Sequence, residues 1–281
     1  MITYEALNHT KTEVLHRTFT EAFSDYRVPM RLPLWEFRHM LQRRGYRPEL
    51  SVGAFENDRL IGFVLNGMRS WNEIPTAYDV GTGVIGAFRE RGISSKLFTQ
   101  AGQLLKERGV EQYLLEVLQS NRAAVLLYEK QGFRLCREFS CFQIGKEKLV
   151  PSMKYRAEKA DGLSSEQDKV FWDFVPSWQN SRESVCAVPE GFYRSAVRIG
   201  QTVVGYGVIE KRTGNIVQLA VRREDRRTGV AGSILADLAK NTAADRITVL
   251  NVDTSCKEME AFLLAAGFEC FALQYEMLLN L

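Results

Sequence analysis

Two stretches of this sequence repeat one pattern, and the distance between them requires two whole domains. TAYDVGTGVIGAFRERGISSKLFTQAGQLLKERG, near residue 80, and GNIVQLAVRREDRRTGVAGSILADLAKN, near residue 215, share the same order of features. Each runs from a strand-like segment through a charged turn of the form RxxGx-small into an amphipathic helix. The copies are offset by 137 residues at Arg89/Arg226 and by 135 at the later pairs Gly132-Phe133 and Gly267-Phe268. Stacked solenoid repeats recur roughly every 20–50 residues, so an offset this long and this constant means duplication of a domain.

Within each copy the apolar spacing sets the elements. Ile93, Leu97, Phe98, Ala101, Leu104 and Leu105 fall on one helical face, as do Val230, Ile234, Leu235 and Leu238. A β-rich run follows each helix, EQYLLEVL and RITVLNV, and a further helical segment leads to the Gly-Phe pair. Ahead of these lie a first strand, ITYEAL, two helical stretches, TKTEVLHRTFTEAF and LWEFRHMLQRR, and a hairpin with an Asn-Asp turn, SVGAFENDRLIGFVLNG. The second half reaches its own hairpin, RSAVRIGQTVVGYGVIE, after fewer helical residues. The expected fold is mixed α/β, built twice, with domains at 1–147 and 152–281 and a linker in GKEKLVPS.

The repeated turn has the chemistry of an anion site. A helix start carries unpaired N–H groups and the positive end of the helix dipole. Gly92 lets the backbone approach a bulky anion, Ser94 adds a small hydroxyl, and Arg89 and Arg91 add positive charge. Arg226 to Ala231 repeats this with alanine last. The plainer reading is a strand-to-helix turn that needs a glycine, and the second copy in the same context weighs against it.

These residues resemble the GNAT family of acyl-CoA-dependent N-acyltransferases, whose signature Q/R-x-x-G-x-G/A follows the fourth strand. Both halves carry it, the first departing with Ser94 at the last position. Asn121, Ala124, Leu127, Tyr128, Gly132 and Phe133 match the family's N-x-x-A-x-x-L-Y-x-x-x-G-F segment. The resemblance covers roughly residues 50–145 and 195–275. It implies two tandem domains, each a twisted, mostly antiparallel sheet flanked by helices. It also implies acetyl-CoA as co-substrate, with acetyl transfer to a primary amine by direct attack in a ternary complex.

Carried over residue by residue, Val84, Ile85 and Gly86 would pair with the pantetheine arm, and Arg89, Glu90, Arg91, Gly92, Ile93 and Ser94 would wrap the pyrophosphate. Asn121 would bond the pantetheine arm and Tyr128 would protonate the departing thiolate. Glu116, in LLEVL, is the candidate base, with Asp79 or a water relay as alternatives. Tyr128 also reads as a core aromatic, and Asn121 as a helix N-cap.

The halves are unequal. Counting back from Gly267 sets Cys256 at the Asn121 position, Leu263 at the Tyr128 position and Asn251 at the Glu116 position. The first half is therefore the expected catalyst. The second is a degenerate copy, for which residual CoA binding, cover of the acceptor site and homodimer formation all stay open.

Composition bounds the rest. Net charge is +3 with 25% charged residues, too mild to call for a nucleic-acid partner. The five cysteines form no CxxC pair and lie far in sequence from the three histidines, so no metal is expected, and buried reduced thiols fit best. The opening MITYEALNHTKTEVLHR lacks a signal-peptide pattern and no apolar run suits a membrane, so a cytoplasmic location is expected. A CoA-binding sensor or scaffold without turnover is the alternative function. FSDYRVPM (Phe23 to Met30) and MRSWNEIPTAY (Met68 to Tyr78) are the expected acceptor-facing segments.

Overall fold

The computed structural model describes residues 1–25, 32–150, 153–160 and 166–281. The first half holds β1 (Ile2–Ala6), α1 (Thr12–Ala22), α2 (Leu34–Arg43), β2 (Val52–Glu56), β3 (Arg59–Trp71), β4 (Ile74–Val84), α3 (Ile93–Glu107), β5 (Gln112–Leu118), α4 (Arg122–Lys130) and β6 (Arg134–Gly145). The second holds β7 (Ala157–Lys159), α5 (Arg182–Cys186), β8 (Phe192–Ile199), β9 (Thr202–Glu210), β10 (Asn215–Val221), α6 (Val230–Lys240), β11 (Arg246–Asp253), α7 (Lys257–Ala265) and β12 (Glu269–Asn280).

Contacts divide the chain into two units that do not follow a single cut in sequence. One comprises Met1–Val117, Asn121–Cys136 and Glu276–Leu281; the other comprises Leu118–Ser120 and Arg137–Tyr275. In the first unit the strand order is β1-β2-β3-β4-β5, with the last strand, β12, beside β5. In the second it is β6-β11-β10-β9-β8-β7. Each half of the sequence thus lends part of its final strand to the other unit, residues 137–145 of β6 and 276–280 of β12. Residues Phe139 to Gly145 of β6 pair antiparallel with β11.

The hairpin from β2 to β3 turns on Asn57 and Asp58, with φ of 50° and 63°, the left-handed pair that a two-residue turn needs and Asn/Asp supply. Asn72 and Glu73 repeat it between β3 and β4, at 50° and 67°. Most of the segment Met68 to Tyr78 is therefore strand, and only these two residues turn. In the other acceptor-facing segment, residues 26–30 lie outside the described residues.

The helical faces pack as their spacing predicts. Ile93, Leu97, Phe98, Ala101 and Leu105 of α3 are buried, as are Val230, Ile234, Leu235 and Leu238 of α6; Leu104 is half-buried. The cysteines differ from expectation: all five are free, and only Cys141 and Cys256 are buried. No helix among the described residues is long and apolar enough to cross a membrane.

Candidate active site

In the first unit β4 meets β5 in parallel only from Thr76↔Gln112 to Tyr78↔Leu114. On its other side β4 follows β3 to its end, with the register shifting so that Leu65 pairs Gly81 and Asn66 pairs Asp79. The extra residue, Val80, is a bulge, which bends and twists a strand. Beyond Tyr78 the edge of β4 has left β5, and a cleft opens between them. Ile85 N–H donates to Ile61 O at 3.0 Å, so by alternation the Val84 N–H points into the cleft. Asn66 fixes the wall behind it, accepting from the Tyr113 hydroxyl at 2.6 Å and donating to Leu50 O at 2.7 Å.

At the mouth of the cleft stands the start of α3. Its N-cap, Gly92, has φ 73°, no side chain caps it, and its first turn holds no acid. A Cβ at Gly92 would meet nothing within 4 Å. With no side-chain cap and no acid in the first turn, the positive end of the helix dipole suits a phosphate. Gly92→Ala is expected to cost ~1 kcal/mol of stability for a left-handed alanine. The larger damage should fall on acetyl-CoA, whose Kd by calorimetry should rise at least about tenfold as the methyl enters the cradle. Unchanged affinity would remove this loop from the binding site.

The arginines act differently from one another. Arg89 donates to both Asp25 carboxylate oxygens at 2.6 and 2.8 Å, to Ala22 O at 2.7 Å and to Val84 O at 3.1 Å. This latches the end of α1 to the end of β4, and the guanidinium pulls the Asp25 carboxyl down in turn. Arg91 lies over the Phe88 ring at 5.1 Å and donates to Ala87 O. Glu90 takes a left-handed φ of 62° that turns the chain toward Gly92. Ile93 is buried and anchors the helix start, while Ser94 is half-buried.

Asn121 caps α4, its Oδ1 accepting from Ala124 N–H at 3.3 Å. Tyr128 is buried on α4, its ring edge-on to Phe98 at 5.3 Å and 5.8 Å from Phe133. It is both a core aromatic and a polar one, because its hydroxyl bonds the Asp79 carboxylate. Asp79 also accepts from Thr82 Oγ1 at 2.9 Å, while its Oδ1 has no partner. Burial dominates these bonds, so the Asp79 carboxyl is pushed up to about 7. Glu116 follows Leu114, the partner of Tyr78, by two residues and so shares Tyr78's face of the sheet. Tyr113, which packs with Phe98 and Phe133, points to the other face with Tyr128. Glu116 and Tyr128 therefore flank the cleft from opposite faces.

The second unit repeats the loop backbone and departs in its chemistry. Arg226 donates to Val221 O at 3.0 Å and pairs with Asp173 at 2.8 Å, matching the Arg89 latch. Arg227 and Gly229 have φ of 59° and 106°, in step with Glu90 and Gly92. Here, however, the Lys154 stem stands 3.1 Å from where a Gly229 Cβ would be. Cys256 is the N-cap of α7 and makes no side-chain cap bond. Phe268 N–H donates to Leu263 O at 3.0 Å, as Phe133 N–H does to Tyr128 O, so Leu263 does occupy the tyrosine position. Asn251 is buried, donating to Ser177 Oγ at 2.9 Å and accepting from Gln274 at 3.1 Å. A cavity of about 750 Å³ beside the loop is lined by Arg226, Arg227, Leu235 and Phe262 among others. No group of three or more metal-ligating side chains exists among the described residues.

A sheet parted beside an uncapped, glycine-started helix occurs twice along the chain, a tandem arrangement of one α/β fold. Residues 12–133 match the acetyltransferase (GNAT) family. A tandem GNAT protein from the clavulanic acid biosynthesis pathway superposes with a TM-score of 0.73 at 14% identity, covering 100% of this chain and 98% of that one. A GCN5-related N-acetyltransferase from Sphaerobacter thermophilus gives 0.72 at 14%, covering 99% and 95%. Among curated relatives, N-alpha-acetyltransferase MAK3 of Arabidopsis thaliana is 34% identical over 86 residues, 31% of this chain and 45% of its own length. N-alpha-acetyltransferase 30 of Schizosaccharomyces pombe is 33% identical over 91 residues, 32% of this chain and 59% of its own. The chain thus spans about half the length of the curated relatives it matches.

Proposed function

We propose that the first half of the chain transfers an acetyl group from acetyl-CoA to a primary amine within a ternary complex. The observation that carries this reading is the parting of β4 from β5 beyond Tyr78, beside the uncapped glycine start of α3. The α3 start around Gly92 holds the pyrophosphate, and the Val84 N–H bonds the thioester arm where charge develops on the carbonyl. Asn121, engaged as a cap through its Oδ1, bonds the arm as well.

The reaction needs positioning and two proton transfers. An ammonium N–H breaks as a carboxylate O–H forms on Glu116, freeing the lone pair. Nitrogen adds to the carbonyl carbon, the C–S bond breaks, and sulfur takes the Tyr128 proton. The second proton shed by nitrogen restores the phenol, and the first leaves from Glu116 to solvent. Base and acid on opposite faces of the sheet suit an amine that enters from one side and a thiol that leaves on the other.

The sequence halves 1–147 and 152–281 act in this reading as catalytic domain and degenerate copy. With Leu263 and Cys256 at the tyrosine and asparagine positions and Lys154 over Gly229, the second half turns over nothing. A panel of small primary amines and peptides with free N-termini, mixed with acetyl-CoA and read by free thiol, tests the function. The peptides are included because the curated relatives are N-alpha-acetyltransferases. Amine-dependent thiol release is expected, with one acetyl-CoA bound per chain by calorimetry. Tight acetyl-CoA binding without transfer to any amine would favour a sensor instead.

A further inference from the structure

The cavity of about 750 Å³ in the second unit is lined by the turn after β10, by α6 and by α7. Its walls differ from the matching walls of the first half. There Gln131 Nε2 donates to Ser95 Oγ at 3.0 Å, tying α4 to α3. The offset of 137 sets Gly232 at the Ser95 position, and the offset of 135 sets Ala266 at the Gln131 position. Neither residue can make that bond. Ser94, Thr99 and Lys130 are likewise matched by Ala231, Ala236 and Ala265. All five small residues line the cavity. The groove along α6 and α7 is therefore untied and apolar where its counterpart is bridged and polar.

Leu149, Leu219, Val221, Leu235, Met259 and Phe262 extend the apolar lining. A cavity of this size and character takes a ligand that is mostly hydrocarbon. The charges fit an anionic head. Of the lining acids, Asp173 pairs with Arg226 and Asp225 with Arg222. Lys148 and Arg227 remain against Glu258. The start of α6 adds its positive dipole, with no side-chain cap and no acid in the first turn. The head must be small. The Lys154 stem stands 3.1 Å from where a Gly229 Cβ would be and crowds the turn that a pyrophosphate would need.

We propose that this cavity binds a long-chain carboxylate, its hydrocarbon chain along α6 and α7 and its head toward Lys148, Arg227 and the α6 start. The proposal stands apart from the acetyl-transfer reading, since every lining residue belongs to the second unit.

Calorimetric titration of the whole chain with dodecanoate, below its micelle concentration, should give saturable binding. Decanoate should bind about tenfold more weakly, because two fewer methylenes are buried. Decyltrimethylammonium, with a chain as long as decanoate's and the opposite charge, should bind at least about tenfold more weakly than decanoate. Gly232→Ser with Ala266→Gln restores the tie and should weaken dodecanoate at least about tenfold. Gly232→Ser alone puts a better helix former in α6 and should weaken it about threefold or more. If the double variant does not melt cooperatively, the single one decides. Absent binding, equal affinity for the two chain lengths or for the cationic amphiphile, or unchanged binding in the cooperatively melting variants overturns the proposal. Displacement of dodecanoate by free CoA overturns it as well, marking a cofactor site instead.

Discussion

Replacing Tyr128 with phenylalanine is expected to lower turnover about 100-fold, within the range that a positioned acid contributes, and to leave acetyl-CoA affinity nearly unchanged. The phenyl ring keeps the contacts with Phe98 and Phe133, so the core around α4 should hold. What disappears is the hydroxyl that bonds Asp79 and is the proposed proton donor, and sulfur must then leave as an unprotonated thiolate. Steady-state thiol release measured against both substrates separates the two quantities. Full activity in Tyr128→Phe would mean that the proton comes from elsewhere, and the tyrosine would revert to a packing residue.

Asp79→Asn should change how stability depends on pH. The Asp79 carboxyl rises from an ordinary 3.8 to about 7, chiefly through burial. The folded chain therefore keeps a proton that the unfolded chain has lost. Stability from this group is greatest at low pH and is lost as pH rises from about 4 to about 7, a total of about 4 kcal/mol at most. Asparagine carries no charge to desolvate and can still accept from Thr82. Urea unfolding at about pH 4.5 and about pH 8 should show the variant gaining on wild type by roughly 2–4 kcal/mol between them. A constant difference at both pH values would mean that Asp79 is not held neutral by burial.

Much of the fold was legible because its signals are local. The glycine start of α3, the periodic burial of Ile93, Leu97 and Leu105, and the Asn57-Asp58 turn each follow from a few neighbouring residues. So does the duplication, which an offset in sequence reveals without any contact being known. The candidate site was legible where it is one motif long: Gly92, Asn121 and Tyr128 sit on the elements their spacing predicts. Arg89 was legible only in part. Its charge reads as a phosphate partner, yet its donors go to Asp25, Ala22 and Val84, a choice set by where α1 ends.

The sequence by itself determined that an α/β pattern is built twice, with the motif residues concentrated in the first half, since helix starts, strand alternation and short motifs are short-range properties. Only the tertiary structure decided which unit each final strand joins and that Lys154 covers Gly229 while Gly92 stands open. Those facts depend on strand register and on contacts between residues far apart in the chain. Either final strand has the alternation to fill either sheet, so no local pattern could have assigned them.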